Sequence, residues 1–326
     1  MKALVCNEFG PLESLRVEDI PSPVPGPGEL LIDVAAASVN FPDALLVQGK
    51  YQVKPALPFV PGAELAGAVV AVGEGVDKAR VGTRVLAVCG RGAFAEQVAV
   101  RAESAMPLDA RIDVATAAAL PMTYGTAYHA LLDRAQLKSA ETLLVLGAGG
   151  GVGLAAIELG KIMGATVIAA ASTQEKLDAA RSRGATHLIN YATEDLRARV
   201  KEITGDKGVD VVIDPVGGPH SEPALRATGW RGRYLVIGFA AGDIPRIPLN
   251  LTLLKGSAIV GVFWGEFMRR EPRRAVGELA QLLAWLQDGE LRPLITGRYS
   301  LENASAALAA VYERKVLGKL LITTGH

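Results

Sequence analysis

From Leu143 onward the chain alternates short, almost unbroken apolar runs with stretches whose charged residues recur at helical spacing. TLLVLG leads to GVGLAAIELGKIMG, TVIAAAS to QEKLDAARSRG, HLINY to EDLRARVKEIT and VDVVIDPV to PHSEPALRATG; RYLVIGF, a loop with a short helical piece and SAIVGVF follow. Apolar runs without polar alternation belong to strands buried on both faces, and amphipathic helices supply the faces that cover them. Six such strands with helices between them call for a parallel sheet wrapped on both sides, a doubly wound α/β domain. The pattern predicts this domain over residues 122–264, entered through two helical pieces in DVATAAALPMTYGTAYHALLD.

The flanks have a different texture. LLIDVAAASV, GAVVAVGEGV, GTRVLAV and FAEQVAV are short runs bounded by Gly, Pro or Asp, the marks of an antiparallel, barrel-like region. PSPVPGPGEL is too rich in proline for a helix or a central strand and reads as an extended connector. Beyond residue 266 the helical RRAVGELAQLLAWLQDG and a last strand, GKLLIT, are expected to return to the first region. Residues 1–121 and 265–326 then form one discontinuous domain with the sheet domain inserted. A length of 326 residues supports two domains, because a single core stops growing below that size.

Composition narrows the function classes. Lysine plus arginine equals aspartate plus glutamate at 34 each, so no overall field favours nucleic acid or an anionic membrane. Two cysteines, Cys6 and Cys89, are too few for a disulfide framework or a thiolate cage. The N-terminus lacks the apolar core of a secretion signal and no apolar run reaches the roughly 18 residues of a membrane span. The expectation is a soluble, cytoplasmic protein.

The first strand of the sheet domain ends in LVLGAGGGVGLAA, with five glycines between residues 147 and 153. A glycine turn feeding a helix is where open α/β sheets bind dinucleotides: the helix N-terminus offers N–H groups and a positive dipole end to a pyrophosphate, and a Cβ would hold the phosphate away. G-x-G-x-x-G fails because Val152 stands at the third position; G-x-x-G-x-x-G fits at Gly147, Gly150 and Gly153, with Gly151 and Val152 inside the turn. A tight turn with nothing bound is the plain alternative. An NAD enzyme places an acid about 20 residues further on to hold the ribose hydroxyls. Here Ser172, Thr173 and Gln174 stand in its place, Lys176 follows, and Tyr191 ends the third strand at the same edge. Absence of a carboxylate with a cation nearby favours NADPH over NADH; an ordinary solvated lysine is the other reading of Lys176.

With VNFPDALLVQGKYQVKPALPFVPGAELAG upstream of the glycine turn, the chain resembles the medium-chain dehydrogenase/reductase superfamily over essentially its whole length. Within it, the resemblance is to the zinc-free quinone oxidoreductases, the zeta-crystallin-like NADPH:quinone reductases. It implies a GroES-like antiparallel barrel as the catalytic domain beside a Rossmann nucleotide domain. Zinc alcohol dehydrogenases of the superfamily carry an early Cys ligand, a Gly-His-Glu segment and a four-cysteine lobe. This chain has SVNFPD without cysteine, PGAE with Ala63 in place of the imidazole, and only Cys89 where the lobe would be. Neither a catalytic nor a structural zinc set is available. His129, His187, His220 and His326 show no ligand spacing and read as structural or solvent-facing. No metal is expected, and without a Lewis acid the favoured chemistry is hydride transfer to an acceptor that spreads negative charge, a quinone or an α,β-unsaturated carbonyl.

The resemblance also implies residue roles. Asn40 and Asp43 match an Asn and an acid that lie beside the nicotinamide in the quinone reductases; Asn40 would hydrogen-bond the acceptor oxygen or orient the cofactor, and Asp43 would hold a neighbouring group or a water. A turn around Pro42 is the competing reading of both. Many relatives have a tyrosine two residues after that acid, where this chain has Leu45, which leaves the proton donor open; Tyr51 is a candidate, with packing against Pro55 and Pro58 as its alternative. Thr126 matches a threonine near the nicotinamide and its phosphates. Gly238 and Phe239 after the fifth strand, and Val262 and Phe263 after the sixth, lie where backbone groups would meet the carboxamide, and Lys319 resembles a C-terminal segment that reaches the cofactor. SAIVGVFWG matches an edge strand that pairs with its copy in a second subunit, so a homodimer is expected, with Trp264 in an interface or core.

Two rivals stay open at this stage. An enoyl thioester reductase of the same superfamily needs a basic groove for coenzyme A, and Arg269, Arg270, Arg273 and Arg274 form a candidate cluster. A non-catalytic dinucleotide- or RNA-binding protein is the other, with the balanced charge against strong RNA binding.

Overall fold

The structure, a computed structural model, describes residues 1–325, so that His326 lies outside the described residues. The chain forms two compact units, Met1–Met122 with the segment from Leu283 onward, and Thr123–Leu282. The second division falls well after the expected residue 265. The reason is local: within the inserted unit the helix Trp264–Arg270 buries Trp264 and Phe267, and the following helix Pro272–Gln287 begins in the same unit and buries Ala275, Glu278 and Leu279.

In the first unit, seven strands form one sheet in the order Ile295–Ser300, Lys319–Thr323, Glu29–Ser38, Glu64–Val72, Arg84–Val88, Ala105–Pro107, with Gln97–Arg101 also paired to Glu29–Ser38. Pairing is antiparallel except between Ile295–Ser300 and Lys319–Thr323, which run parallel. In Glu29–Ser38, Leu30, Ile32, Val34 and Ala36 alternate inward with half-buried residues, the period-two pattern of a strand with one face on a core. That core is built with Leu4, Phe59, Leu65 and Phe94. Residues 21–26 are irregular, as the proline-rich connector requires.

All six strands of the inserted unit are parallel, in the spatial order His187–Asn190, Thr166–Ala171, Thr142–Leu146, Val209–Asp214, Thr228–Val236, Ala258–Gly261. In chain order this is 3-2-1-4-5-6, the doubly wound arrangement whose ligand crevice opens where strand order reverses, beyond the carboxyl ends of the first and fourth strands. Leu143–Leu146, Val167–Ala170 and Val211–Ile213 are sealed from water on both faces. Ala258–Gly261 is an edge strand and mostly exposed. Among the described residues no helix is long and apolar enough to cross a membrane.

Candidate active site

The glycine turn follows the first strand at the point where the sheet order reverses. Gly147 takes φ +60°, and a Cβ there would lie 2.7 Å from the Val216 side chain, which follows the fourth strand. A Cβ on Gly153 would fall 2.3 Å from the Gly147 carbonyl oxygen, so the helix Gly151–Ile162 presses against the turn it leaves. Gly150 bonds back to the Gly147 carbonyl at 2.9 Å and stands at the N-cap with no side chain to satisfy the leading N–H groups. Gly151, Val152 and Gly153 form that uncapped first turn, a cradle of donors with a dipole end behind it. The residues present therefore fit a pyrophosphate.

The second strand ends at Ala171. Ser172 and Thr173 follow, and the Thr173 hydroxyl caps the helix Gln174–Ser182 by accepting the Lys176 N–H. That helix start brings the Lys176 stem over the glycine turn, since a Cβ on Gly149 would strike its Cγ at 2.5 Å. Tyr191 donates its backbone N–H to the Ala171 carbonyl at 3.1 Å and packs its ring at a tilt of 36° against His220, with centroids 4.2 Å apart. Ser172, Thr173, Lys176 and Tyr191 thus gather at one edge of the sheet, and His220 joins them. Thr126 is half-buried on the helix Thr123–His129, next to Gly125, whose missing Cβ leaves room for the Trp264 indole. Trp264 is core of this unit. Gly238 and Phe239 lie just beyond Thr228–Val236, and Val262 and Phe263 just beyond Ala258–Gly261, at the carboxyl edge. His129 is buried and stacks on Phe267 at 4.0 Å.

In the first unit, Asn40, Asp43, Glu64 and Lys319 form a polar cluster sealed from water, at 7, 0, 0 and 4% exposure. Asn40 precedes the helix Phe41–Val47, and Asp43 Oδ2 accepts the Asn40 backbone N–H at 2.8 Å within a capping box. The Asn40 amide donates to Glu64 Oε1 at 2.7 Å and to the Ser38 carbonyl at 3.3 Å. Its Oδ1 accepts from Lys319 Nζ at 2.7 Å, and Nζ also donates to the Val39 carbonyl at 3.0 Å and lies 3.5 Å from Glu64 Oε1. The Met122 N–H closes the far side of Glu64 at 2.7 Å. Burial pushes the Asp43 carboxyl up to about 7; the Asn40 N–H opposes this, Glu64 adds to it, and Lys319 and the Gly62 N–H pull it back. Burial likewise raises the Tyr51 hydroxyl, with Asp43 second, and drives the Cys89 thiol up to about 12, again with Asp43 second.

The geometry bears on three of the expectations. Both Asn40 amide hydrogens are engaged, by Glu64 and by the Ser38 carbonyl. The Lys319 ammonium is surrounded by three acceptors inside the barrel unit. Three of the four clustered arginines are engaged in ion pairs: Glu266 pairs with Arg269 and Arg270, while Asp133 and Glu271 hold Arg274. The turn reading of Asp43 holds for one of its oxygens. Sequence reasoning did not single out Glu64 as a site residue; an acid opening the apolar run ELAGAVV was the available signal, because a carboxylate there needs buried partners. Among the described residues no three His, Cys, Asp or Glu side chains gather as a metal site.

Residues 26–110 match the family described as alcohol dehydrogenase GroES-like domain, and residues 151–285 the family described as zinc-binding dehydrogenase. Quinone oxidoreductase-like protein 2 homolog of Nematostella vectensis is 37% identical over 99% of this chain and 89% of its own length. Synaptic vesicle membrane protein VAT-1 homolog of Homo sapiens is 32% identical over all of this chain and 87% of its own. The crystal structure of Escherichia coli quinone oxidoreductase complexed with NADPH superposes with a TM-score of 0.93 at 29% identity, covering 99% of this chain and all of the other.

Proposed function

The chain belongs to the medium-chain dehydrogenase/reductase superfamily, among its quinone oxidoreductase-like members, and from that premise we propose that it is an NADPH-dependent reductase passing hydride to a quinone or an α,β-unsaturated carbonyl. The observation that carries this reading is the Lys176 stem lying against Gly149 in the glycine turn, at the end of a second strand that bears no acid. Bound NADPH supplies the hydride from its nicotinamide C4. Gly147, Gly150, Gly151, Val152 and Gly153 give backbone donors to the pyrophosphate. Ser172, Thr173, Lys176 and Tyr191 receive the adenosine end with its 2′-phosphate, where an acid would repel it. Thr126, Gly238, Phe239, Val262 and Phe263 serve the nicotinamide half, and Tyr51 is the proton donor that Leu45 cannot be.

Zinc has no part in this reading. Ala63 has no lone pair to offer, and Glu64 already answers three donors, one of them the Lys319 ammonium. An acceptor that delocalises charge needs no Lewis acid.

Fluorescence titration with NADPH and NADH, followed by turnover on 1,2-quinones, 1,4-quinones, enones and crotonyl thioester, tests the proposal. NADPH is expected to bind at least tenfold tighter, and Lys176→Ala to weaken it by about tenfold, ~1.4 kcal/mol, while leaving NADH unchanged. Because membership extends to proteins named for other properties, turnover decides: activity on a quinone or enone that survives chelation is expected. Equal affinity for the two cofactors, preference for the thioester, or one tightly bound zinc per chain needed for activity would each overturn its part.

The same reading includes a homodimer. The edge strand Ala258–Gly261 exposes Ile259, and the segment that feeds it exposes Leu249, Leu253 and Leu254, with Trp230 beside Gly256. Unpaired edges of this kind invite a partner strand, and a second copy of the chain supplies one.

A further inference from the structure

Tyr191 follows the third strand, which borders the six-stranded sheet, and His220 lies in the segment that leaves the fourth. The order 3-2-1-4 keeps those strands three steps apart, roughly 14 Å at about 4.8 Å per step. The segments beyond their carboxyl ends nevertheless meet, because the His220 imidazole packs on the Tyr191 ring at a centroid distance of 4.2 Å and a tilt of 36°. Both rings belong to the unit Thr123–Leu282.

The segment that carries His220 is pinned on either side of it by one carboxylate. Asp214, at 2% exposure, accepts the Val216 and Gly217 N–H groups on Oδ1 at 2.7 and 2.8 Å, and on Oδ2 the Ser221 hydroxyl at 2.8 Å and the hydroxyl of Tyr234. Four donors on two oxygens leave the segment little freedom. Val216, inside the pinned stretch, sets its side chain against Gly147, so His220 is held in register with the glycine turn as well. Burial lowers the His220 imidazole from its ordinary value, with Asp214 pulling the other way, and a neutral ring is what Tyr191 meets near pH 7. Ring packing, not charge, is what His220 brings to this contact.

We propose that His220 is a positioning residue for recognition of the cofactor's 2′-phosphate: its ring backs that of Tyr191 and fixes where the phenol stands at the edge of the pocket. The assignment rests on the cofactor pocket of the reductase reading above. A phenol already held in place loses less rotamer freedom when the cofactor arrives, which is the source of the affinity. Tyr191 stands with Ser172, Thr173 and Lys176 where an NAD site would carry its acid, so the effect falls on the cofactor with the extra phosphate.

Titration of the whole protein with NADPH and with NADH, in a double-mutant cycle of His220→Ala and Tyr191→Ala, tests this. His220→Ala is expected to weaken NADPH by about fivefold, the scale of an aromatic pair, and NADH by less than about twofold. His220→Phe restores a ring without the imidazole and should bind NADPH within about twofold of the parent. In a chain that already lacks the Tyr191 ring, His220→Ala should change neither affinity. If the parent prefers NADPH and His220→Ala binds it like the parent, the His220 assignment is overturned and the pocket stands. Equal weakening of both cofactors makes His220 a general prop of the fold, and a Phe variant as weak as the Ala variant makes the imidazole nitrogens the active part; either overturns the proposal. An additive cycle overturns action through Tyr191. A parent that binds the two cofactors alike removes the pocket and the assignment together. Should His220→Ala fail to fold, His220→Gln, which keeps bulk without a ring, takes its place with the same expectations.

Discussion

Every donor that Asn40 owns is committed, and that changes what its neighbours do. The motif VNFPD pointed to Asn40 and Asp43, but not to Glu64 or to Lys319, which lies 279 residues from Asn40. Partners so distant are set by strand register, which periodicity does not encode. Lysine at the end of a chain resembles a ligand-seeking cation until the strand Lys319–Thr323 is seen to carry it inward. Asp43 also leaves a mark on stability. Its folded value, about 7, lies above the unfolded value of about 3.9. The unfolded chain therefore releases this proton first as pH rises, so the Asp43 contribution is fully present below pH 4 and is lost as pH climbs to about 7. Asp43→Asn should gain stability relative to the parent between pH 5 and 7.5, as read by urea unfolding. A constant or opposite difference would contradict the raised value.

At the level of elements, the alternation of buried strands and amphipathic helices was legible because a parallel sheet forbids polar residues on either face. All six strands and the helices after the first four fall where the sequence placed them. The glycine turn was legible too, though the third glycine of the strict motif is displaced. What remained hidden was the allegiance of the helices after Ala258–Gly261, since an apolar stripe says that a helix packs but not onto what. Gly153 shows how little slack the strand-helix junction has, because its Cβ position is 2.3 Å from a carbonyl oxygen. Gly153→Ala is expected to lower unfolding stability by about 2 kcal/mol, the scale of overpacking a close contact, and to weaken NADPH at least tenfold by displacing the first turn. Urea midpoints and cofactor titration measure both; parent-like binding would show that the cradle tolerates the shift.

For the whole molecule, the edge of the six-stranded sheet is the most consequential surface. Leu253→Glu together with Ile259→Glu should convert a dimer into a monomer in light scattering after gel filtration, with cofactor affinity retained, because neither residue belongs to the glycine turn. A parent chain that runs as a monomer would remove the dimer outright. The first unit is also split by topology: Glu29–Ser38 pairs along Ala36–Ser38 with Lys319–Thr323, from the far end of the chain. During synthesis that strand has no neighbour on this side until the ribosome has delivered the entire inserted sheet and the strand Lys319–Thr323. At about 5–20 residues per second, the wait is on the order of ten seconds or more. Asn40 and Glu64 meet the Lys319 ammonium only after that interval, so a chain stopped before residue 319 cannot contain the buried cluster.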